Sequence, residues 1–276
     1  MQPLTGIRVI DLTQIYQGPY CAFLMAMAGA EIIKVEPLTG DRTRRRNLAD
    51  IPPVPFAMLN SNKRSITLNL QKPRGVEILK ALVKDTDVFS QGYRPGMLQG
   101  LGFSPEDLAE TRPGIVYLSI SCYGADGPFS HRAGWEQVAQ TMTGICHEGS
   151  ENGPALLPAA ACDYTTGYLG AYGVLLALAR RAREGGSYHV RVSLCQSGMF
   201  IYRQGQTGAV QPDMDLSADE LATMHIDSQT ADGPLRHLGP VLNLSETAPH
   251  WTRPTPVLGG DRPEWLDTSA AADAAE

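Results

Sequence analysis

The chain has 276 residues, of which 43% are hydrophobic, and carries a formal net charge of −6. That length suits one sizeable globular domain, alone or with an appendage. The acidic balance excludes a general nucleic-acid or anionic-membrane footprint, and no apolar run approaches the roughly 20 residues needed to span a bilayer.

Strand and helix signals alternate through the first 203 residues. Short β-branched runs predict strands at 7–12, 31–36, 65–70, 87–93, 114–124 and 187–194. Apolar residues at helical spacing predict helices at 18–30, 72–86 and 165–184. This alternation predicts an α/β fold with a mostly parallel sheet.

The composition changes after residue 203. Residues 204–234 are polar and weakly periodic, which predicts a connector, and the Pro-rich residues 235–266 predict an extended segment along a surface. The small, acidic residues 267–276 predict a disordered tail.

The cysteines and the N-terminus indicate a cytoplasmic protein. The N-terminus has no basic segment followed by a long apolar one, so we expect no signal peptide. Five scattered cysteines without a CxxC pair favour free thiols in a reducing compartment. Cys195 could be a nucleophile, but a small buried residue at a strand end is the favoured interpretation.

The common cofactor and metal motifs are absent. The sequence has no GxGxxG after its first strand, no GxxxxGK[ST], no HExxH and no GxSxG. Its six histidines are dispersed, so we predict no metal.

Basic residues instead gather near predicted strand ends. In an open parallel sheet, ligands bind at the carboxyl ends of the strands, so such residues predict phosphate-binding loops. An ordinary solvated charged loop is the alternative. The basic residues that follow a predicted strand are Arg42, Arg44, Arg45, Arg46 and Arg94, whereas Lys63 and Arg64 lie just before the third strand.

Two further features are open to a functional reading. The Gly- and Pro-rich loop 122–135 predicts either a tight turn or backbone N–H groups close to a ligand carbonyl. Asp163 ends an apolar run just before a helical pattern, where Asp is a favoured N-cap. A helix N-terminus also stabilises an ionised carboxylate, which can attack an activated acyl group.

Six pieces of the sequence, in order over about residues 3–200, resemble the class III coenzyme A transferases, the family that includes formyl-CoA transferase and the carnitine CoA-transferases. They are "LTGIRVIDLTQIYQGPYCAFLMAMAGAEIIKVEPLTGD", "LNSNKRSITLNLQKPRGVEILKALV", "DVFSQGYRPGMLQGLGF", "IVYLSISCYGADGPFSHRAGWEQVAQ", "DYTTGYLGAYGVLLAL" and "YHVRVSL".

This resemblance implies a Rossmann-like large domain over 1–203 and a homodimer of two interlaced chains. It implies that coenzyme A or acyl-CoA is a substrate rather than a permanently bound cofactor, and that a small carboxylate accepts the CoA. It also places the catalytic aspartate at Asp163. An anhydride and an aspartyl-CoA thioester would then be the intermediates.

The resemblance implies further site residues. Gln17 and the Tyr123–Gly124 loop are the candidate oxyanion donors. The implied contacts to the CoA phosphates or ribose are Lys63, Arg64, Lys72 and Arg94, with Arg42 and its neighbours near the nucleotide end.

Two departures from the family pattern keep alternatives open. Related α-methylacyl-CoA racemases carry a catalytic His where this chain has Trp135, which disfavours a racemase because half of the acid–base pair is missing. Residues 204–234 also replace a whole small domain, together with its glycine-rich covering loop. The chain could therefore be a compact transferase, a CoA-binding subunit without turnover, or one part of a larger enzyme completed by a second chain.

Overall fold

The structure is a computed structural model and describes residues 2–44, 54–148, 152–206, 216–231, 233–240, 242 and 244–266. Within these ranges, six strands form one parallel sheet in the order β3-β2-β1-β4-β5-β6. This confirms the predicted α/β fold, and the order is that of the Rossmann sheet. The strands are β1 (Arg8–Asp11), β2 (Glu31–Glu36), β3 (Arg64–Thr67), β4 (Val88–Gln91), β5 (Val116–Ser121) and β6 (Tyr188–Ser193).

Helices cover both faces of the sheet. One apolar cluster joins Val9 and Leu118 to the first and seventh helices, and a second joins Ile10 and Phe89 to the third and fourth. None of the described helices is long and apolar enough to cross a membrane. They are α1 (Gln17–Met27), α2 (Val54–Asn60), α3 (Pro73–Val83), α4 (Pro105–Thr111), α5 (Glu136–Met142), α6 (Ile145–Glu148), α7 (Ala161–Glu184), α8 (Leu194–Tyr202) and α9 (Ala218–Met224).

Helices α1 and α7 pack closely because glycines lie between them. A β-carbon at Gly167 would lie 2.9 Å from the Gln17 carbonyl oxygen, and one at Gly170 would lie 3.2 Å from the Cys21 sulfur. Gly167 is one turn after Asp163 on α7. The same packing therefore brings the first turns of the two helices side by side.

Two local predictions are wrong. Helix α7 begins at Ala161, after Ala160, so Asp163 is the third helical residue and not the N-cap. Cys195 is half-buried in the first turn of α8 rather than at a strand end, because β6 stops at Ser193, whose side chain caps that helix.

The region after residue 203 contains elements that its weak periodicity did not indicate. Helix α9 leads into an antiparallel hairpin of β7 (His225–Thr230) and β8 (Gly233–Leu238). Residues 244–266 then run back along the domain. The Asn62 side chain accepts the Thr252 N–H at 2.9 Å, and the Trp265 indole donates to the Leu82 carbonyl oxygen at 3.1 Å.

Candidate active site

A cavity of about 360 Å³ lies at the carboxyl ends of β1, β4 and β5. Its walls are the loops that follow these strands and the first turn of α1. Strands β1 and β4 are neighbours whose following helices, α1 and α4, cover opposite faces of the sheet. The cavity is therefore at the topological switch point, where open α/β sheets bind their ligands.

The cavity is electropositive. Arg42, Arg94 and Arg132 line it, and among the residues that the structure describes its lining includes no Asp or Glu. The N-terminal end of α1 adds Gln17 and Gly18, and its first turn has no acidic residue. Guanidinium groups and free helical N–H groups both favour phosphate or carboxylate oxygens.

Of these three arginines, Arg132 was not predicted. The strand-end argument that singled out Arg42 and Arg94 applies equally to the loop after β5, where Arg132 lies, so the signal was available. The predicted Arg44 is instead bound to Glu36 at 2.8 Å, and Arg45 and Arg46 lie outside the described residues.

A second cavity of about 570 Å³ adjoins the first along β4, β5 and β6. The two share Tyr93, Arg94 and Ser121 among their lining residues. Gly124 lines the second cavity, but its N–H already donates to the Ser121 hydroxyl at 3.0 Å. Tyr123 packs against the Phe129 ring. The predicted oxyanion donors therefore lie in different places, and of the three only Gln17 lines the switch-point cavity.

Asp163 is buried and is not among the residues that line this cavity. Its residue is 3% exposed, and its Oδ1 atom accepts no hydrogen bond from any described group. Cys122 lines the cavity, and the charge of Asp163 acts on its thiol, although a hydrogen bond to Cys195 and burial do more to raise the pKa of Cys122. The backbone carbonyl oxygen of Gln17, a residue that lines the cavity, packs against α7 at Gly167, one turn after Asp163.

Glu136 holds the first turn of α7. Its Oε2 accepts the Asp163 N–H at 2.6 Å, and its Oε1 accepts the Cys162 N–H at 3.1 Å and the Gln140 amide at 2.6 Å. This carboxylate, buried at 5% exposure in α5, thus takes the capping role expected of Asp163. No local pattern in the sequence indicates this role, because nothing links Glu136 to a helix that begins 25 residues later.

Burial, followed by the negative charge of Glu136, raises the pKa of Asp163 from 3.8 to about 7. A carboxylate with that pKa changes charge near neutral pH, unlike ordinary surface acids. A buried titratable group with a perturbed pKa beside a cavity is typical of functional sites. Chemically, it can act as a nucleophile or as an acid–base group.

Neither Lys63 nor Arg64 is among the residues that line the cavity, and both side chains bind partners within the domain. The Lys63 ammonium donates to Asp11 Oδ2 at 3.1 Å, Asn60 Oδ1 at 2.9 Å and the Pro19 carbonyl oxygen at 2.9 Å, and it is fully buried. Burial lowers its pKa to about 8. Both residues lie at the amino end of β3, where the strand-end rule does not apply.

Arg64 and Lys72 complete the predicted basic set. Arg64 is bound to Glu31 at 2.9 Å and to Asp261 at 3.3 Å, which fastens the C-terminal segment to β3. Lys72 is exposed immediately before α3 and is not among the residues that line either cavity. Neither residue faces the switch-point cavity.

A buried ion pair positions the loop that leads to Gln17. The Lys34 ammonium donates to the Thr13 carbonyl oxygen at 2.8 Å and pairs with Asp41 at 3.0 Å. The Asp41 carboxylate in turn accepts the Ile15 N–H at 3.3 Å, and Ile15 has a φ of 76°. The pair therefore holds this strained turn in the conformation that places Gln17 in the cavity wall.

Comparison with known proteins gives the context for this geometry. The sequence model of "CoA-transferase family III" matches residues 4–214. The chain is 41% identical to succinyl-CoA:glutarate CoA-transferase of Mus musculus over 74% of its own length and 48% of the relative. It is 41% identical to formyl-CoA:oxalate CoA-transferase of Streptomyces avermitilis over 72% of its length and 50% of the relative. The chain thus spans about half the length of these curated relatives.

A subunit and two solved structures extend the comparison. The chain is 34% identical to the succinyl-CoA–L-malate CoA-transferase beta subunit of Chloroflexus aurantiacus, over 84% of its length and 60% of the subunit. Rv3272 from M. tuberculosis superposes with a TM-score of 0.70 at 30% identity, covering 74% of this chain and 57% of that one. A CAIB/BAIF family protein from Brucella suis shares the fold over 99% of both chains, with a TM-score of 0.80 at 21% identity.

Proposed function

Because the chain belongs to CoA-transferase family III, we propose that it transfers coenzyme A from an acyl-CoA thioester to a carboxylic acid, with Asp163 as the nucleophile. One observation carries the proposal. Asp163 is a buried carboxylate with a raised pKa and an unpartnered oxygen, and its charge acts on Cys122, which lines the arginine-lined cavity at the switch point.

In the proposed reaction, the ionised Asp163 attacks the thioester carbonyl and forms an acyl anhydride as the CoA thiolate leaves. The thiolate then attacks the aspartyl carbonyl, which releases the first acid and leaves an aspartyl-CoA thioester. The acceptor carboxylate attacks that thioester, expels the CoA thiolate and forms a second anhydride. The thiolate then attacks the acceptor's carbonyl in this anhydride, which forms the new acyl-CoA and releases Asp163 as a carboxylate. Each attack creates an oxyanion that needs a hydrogen-bond donor.

Gln17 is the proposed oxyanion donor. Its position in the cavity wall and its contact with α7 support this role. The N–H of Gly124 does not serve as a second donor, because the Ser121 hydroxyl already accepts its hydrogen bond.

The three cavity arginines support an anionic ligand. We propose that Arg42, Arg94 and Arg132 attract the CoA phosphates and the acceptor acid. The relatives named above act on succinyl, glutarate, oxalate or malate groups, so a small dicarboxylic acid is the proposed acceptor. Lys72 remains a predicted contact to CoA. Lys63 and Arg64 are not proposed as CoA contacts, because their side chains already form ion pairs within the domain.

A second candidate is a CoA-binding subunit that needs another chain for turnover. The observation that favours it is the similarity to a relative that is itself a beta subunit, the one from Chloroflexus aurantiacus. The predicted homodimer, its interlacing and the cytoplasmic location remain predictions from the sequence.

The test is to incubate the purified chain with succinyl-CoA, trap intermediates with hydroxylamine and measure intact mass. We expect an adduct that maps to Asp163 and is missing in Asp163→Asn. Asp126→Asn, a change at an exposed acid in the loop after β5, is the matched control and should label normally. CoA binding without any adduct would favour the binding subunit, and an adduct that persists in Asp163→Asn would refute Asp163 as the nucleophile.

A further inference from the structure

Two cysteines meet where β5 and β6 end. Cys122 directly follows β5, and Cys195 is the second residue of α8, which follows β6. The Cys195 N–H donates to the Cys122 carbonyl oxygen at 2.9 Å, continuing the parallel pairing of Ser121 with Ser193. A disulfide requires α-carbons about 4.4–6.8 Å apart, and this backbone hydrogen bond makes the two residues direct neighbours across the strand ends.

Their side chains are also together. Both belong to one small apolar cluster at this end of the sheet, and each thiol acts on the pKa of the other. Cys162, in the same cluster, lies beside the Glu136 carboxylate instead, which accepts the Cys162 N–H at 3.1 Å. Cys122 and Cys195 are therefore a defined pair rather than two members of a loose group.

The two thiols are not equivalent. Cys195 is half-buried, whereas Cys122 is 7% exposed. The neighbouring Cys122 lowers the pKa of Cys195, and Cys195 together with burial raises the pKa of Cys122. Because Cys195 is the more accessible thiol, we assign the first attack to it and the second to Cys122.

The half-buried Cys195 is the thiol that an oxidant meets first, and its partner Cys122 borders the switch-point cavity. Arg94 and Arg132 line that cavity beside Cys122. Their positive charge favours an oxidant that carries carboxylates. Low-molecular-weight disulfides such as glutathione disulfide have that chemistry.

We propose that Cys122 and Cys195 form an oxidation site for low-molecular-weight disulfides and close an intramolecular disulfide. The Cys195 thiolate attacks one sulfur of glutathione disulfide, breaks its S–S bond and releases one glutathione thiolate. Cys122 gives its proton to solvent and attacks the Cys195 sulfur, which releases the second glutathione. Two protein thiols are oxidised, one disulfide is reduced to two thiols, and no step uses Asp163 or coenzyme A.

The test uses the wild-type chain, so it does not depend on a variant that folds. The reduced protein is treated with glutathione disulfide, alkylated under denaturing conditions and mapped by mass spectrometry. We expect a species that carries two fewer alkyl groups than the reduced chain, with a peptide cross-link between Cys122 and Cys195 that dithiothreitol reverses. Free thiols at both positions, or a glutathione adduct that never resolves, would overturn the proposal.

Variants assign the order of attack. Cys122→Ser should accumulate a mixed disulfide on Cys195, and Cys195→Ser should slow thiol loss at Cys122 by about tenfold or more. Cys146→Ser changes a buried cysteine outside the cluster and should oxidise like the wild type. Equal oxidation of Cys122 with and without Cys195 would refute the assigned order.

Discussion

The ionised form of Asp163 should destabilise the folded chain, and replacing it with Asn should reveal by how much. Burial and the charge of Glu136 raise its pKa from 3.8 to about 7. Since each tenfold change in proton affinity corresponds to about 1.4 kcal/mol, the buried charge costs about 4 kcal/mol of folding free energy once both states are ionised.

The sign follows from the direction of the pKa change. Below pH 3.8 the carboxyl group is protonated in both states and contributes no penalty. Between pH 4 and 7 the folded state holds the proton that the unfolded state has lost, so the stability contributed by this group falls as pH rises. Above pH 7 the full penalty applies.

Asp163→Asn keeps the shape of the protonated acid but cannot ionise. Its free energy of unfolding, measured by urea denaturation, should exceed that of the wild type by up to about 4 kcal/mol at pH 8 and by far less at pH 5. Asp126→Asn, at a side chain that is 90% exposed, should show no such pH-dependent gain. A difference that stays constant from pH 5 to 8, or an Asn variant that is less stable at pH 8, would refute the reasoning.

Three further changes test the site and its support. Glu136→Gln removes the second cause of the raised pKa, so the pH midpoint for labelling Asp163 with succinyl-CoA should move below that of the wild type; an unchanged midpoint would contradict this. Arg132→Ala should weaken CoA binding by about tenfold in calorimetry, because a charge-assisted hydrogen bond contributes about 1.5–3 kcal/mol; unchanged affinity at low salt would exclude that contact. Lys63→Met leaves Asp11 as an unpaired buried charge and should lower the free energy of unfolding at pH 7 by about 3–5 kcal/mol. The folded fraction of that variant should still bind CoA, and a selective loss of binding with normal stability would return Lys63 to the ligand site.

Local pattern was sufficient for the sheet and the main helices. The β-branched runs around Val9, Ile33 and Leu118 became strands, and the Pro-led pattern at Pro73 became α3, because burial of an apolar face depends on residues close together in sequence. The alternation of these elements was enough to indicate an α/β fold. The polar hairpin at 225–238 gave little such signal, since residues along both of its strands remain exposed.

The partners of the charged side chains could not be predicted from the sequence. The sequence drew attention to both Asp163 and Lys63, but it could not show that Glu136 caps α7 in place of Asp163, or that Asp11 neutralises Lys63. Those partners lie 27 and 52 residues away along the chain. The pKa and the role of a charged group depend on the charges and the solvent within a few ångströms of it, and only the tertiary structure decides which groups those are.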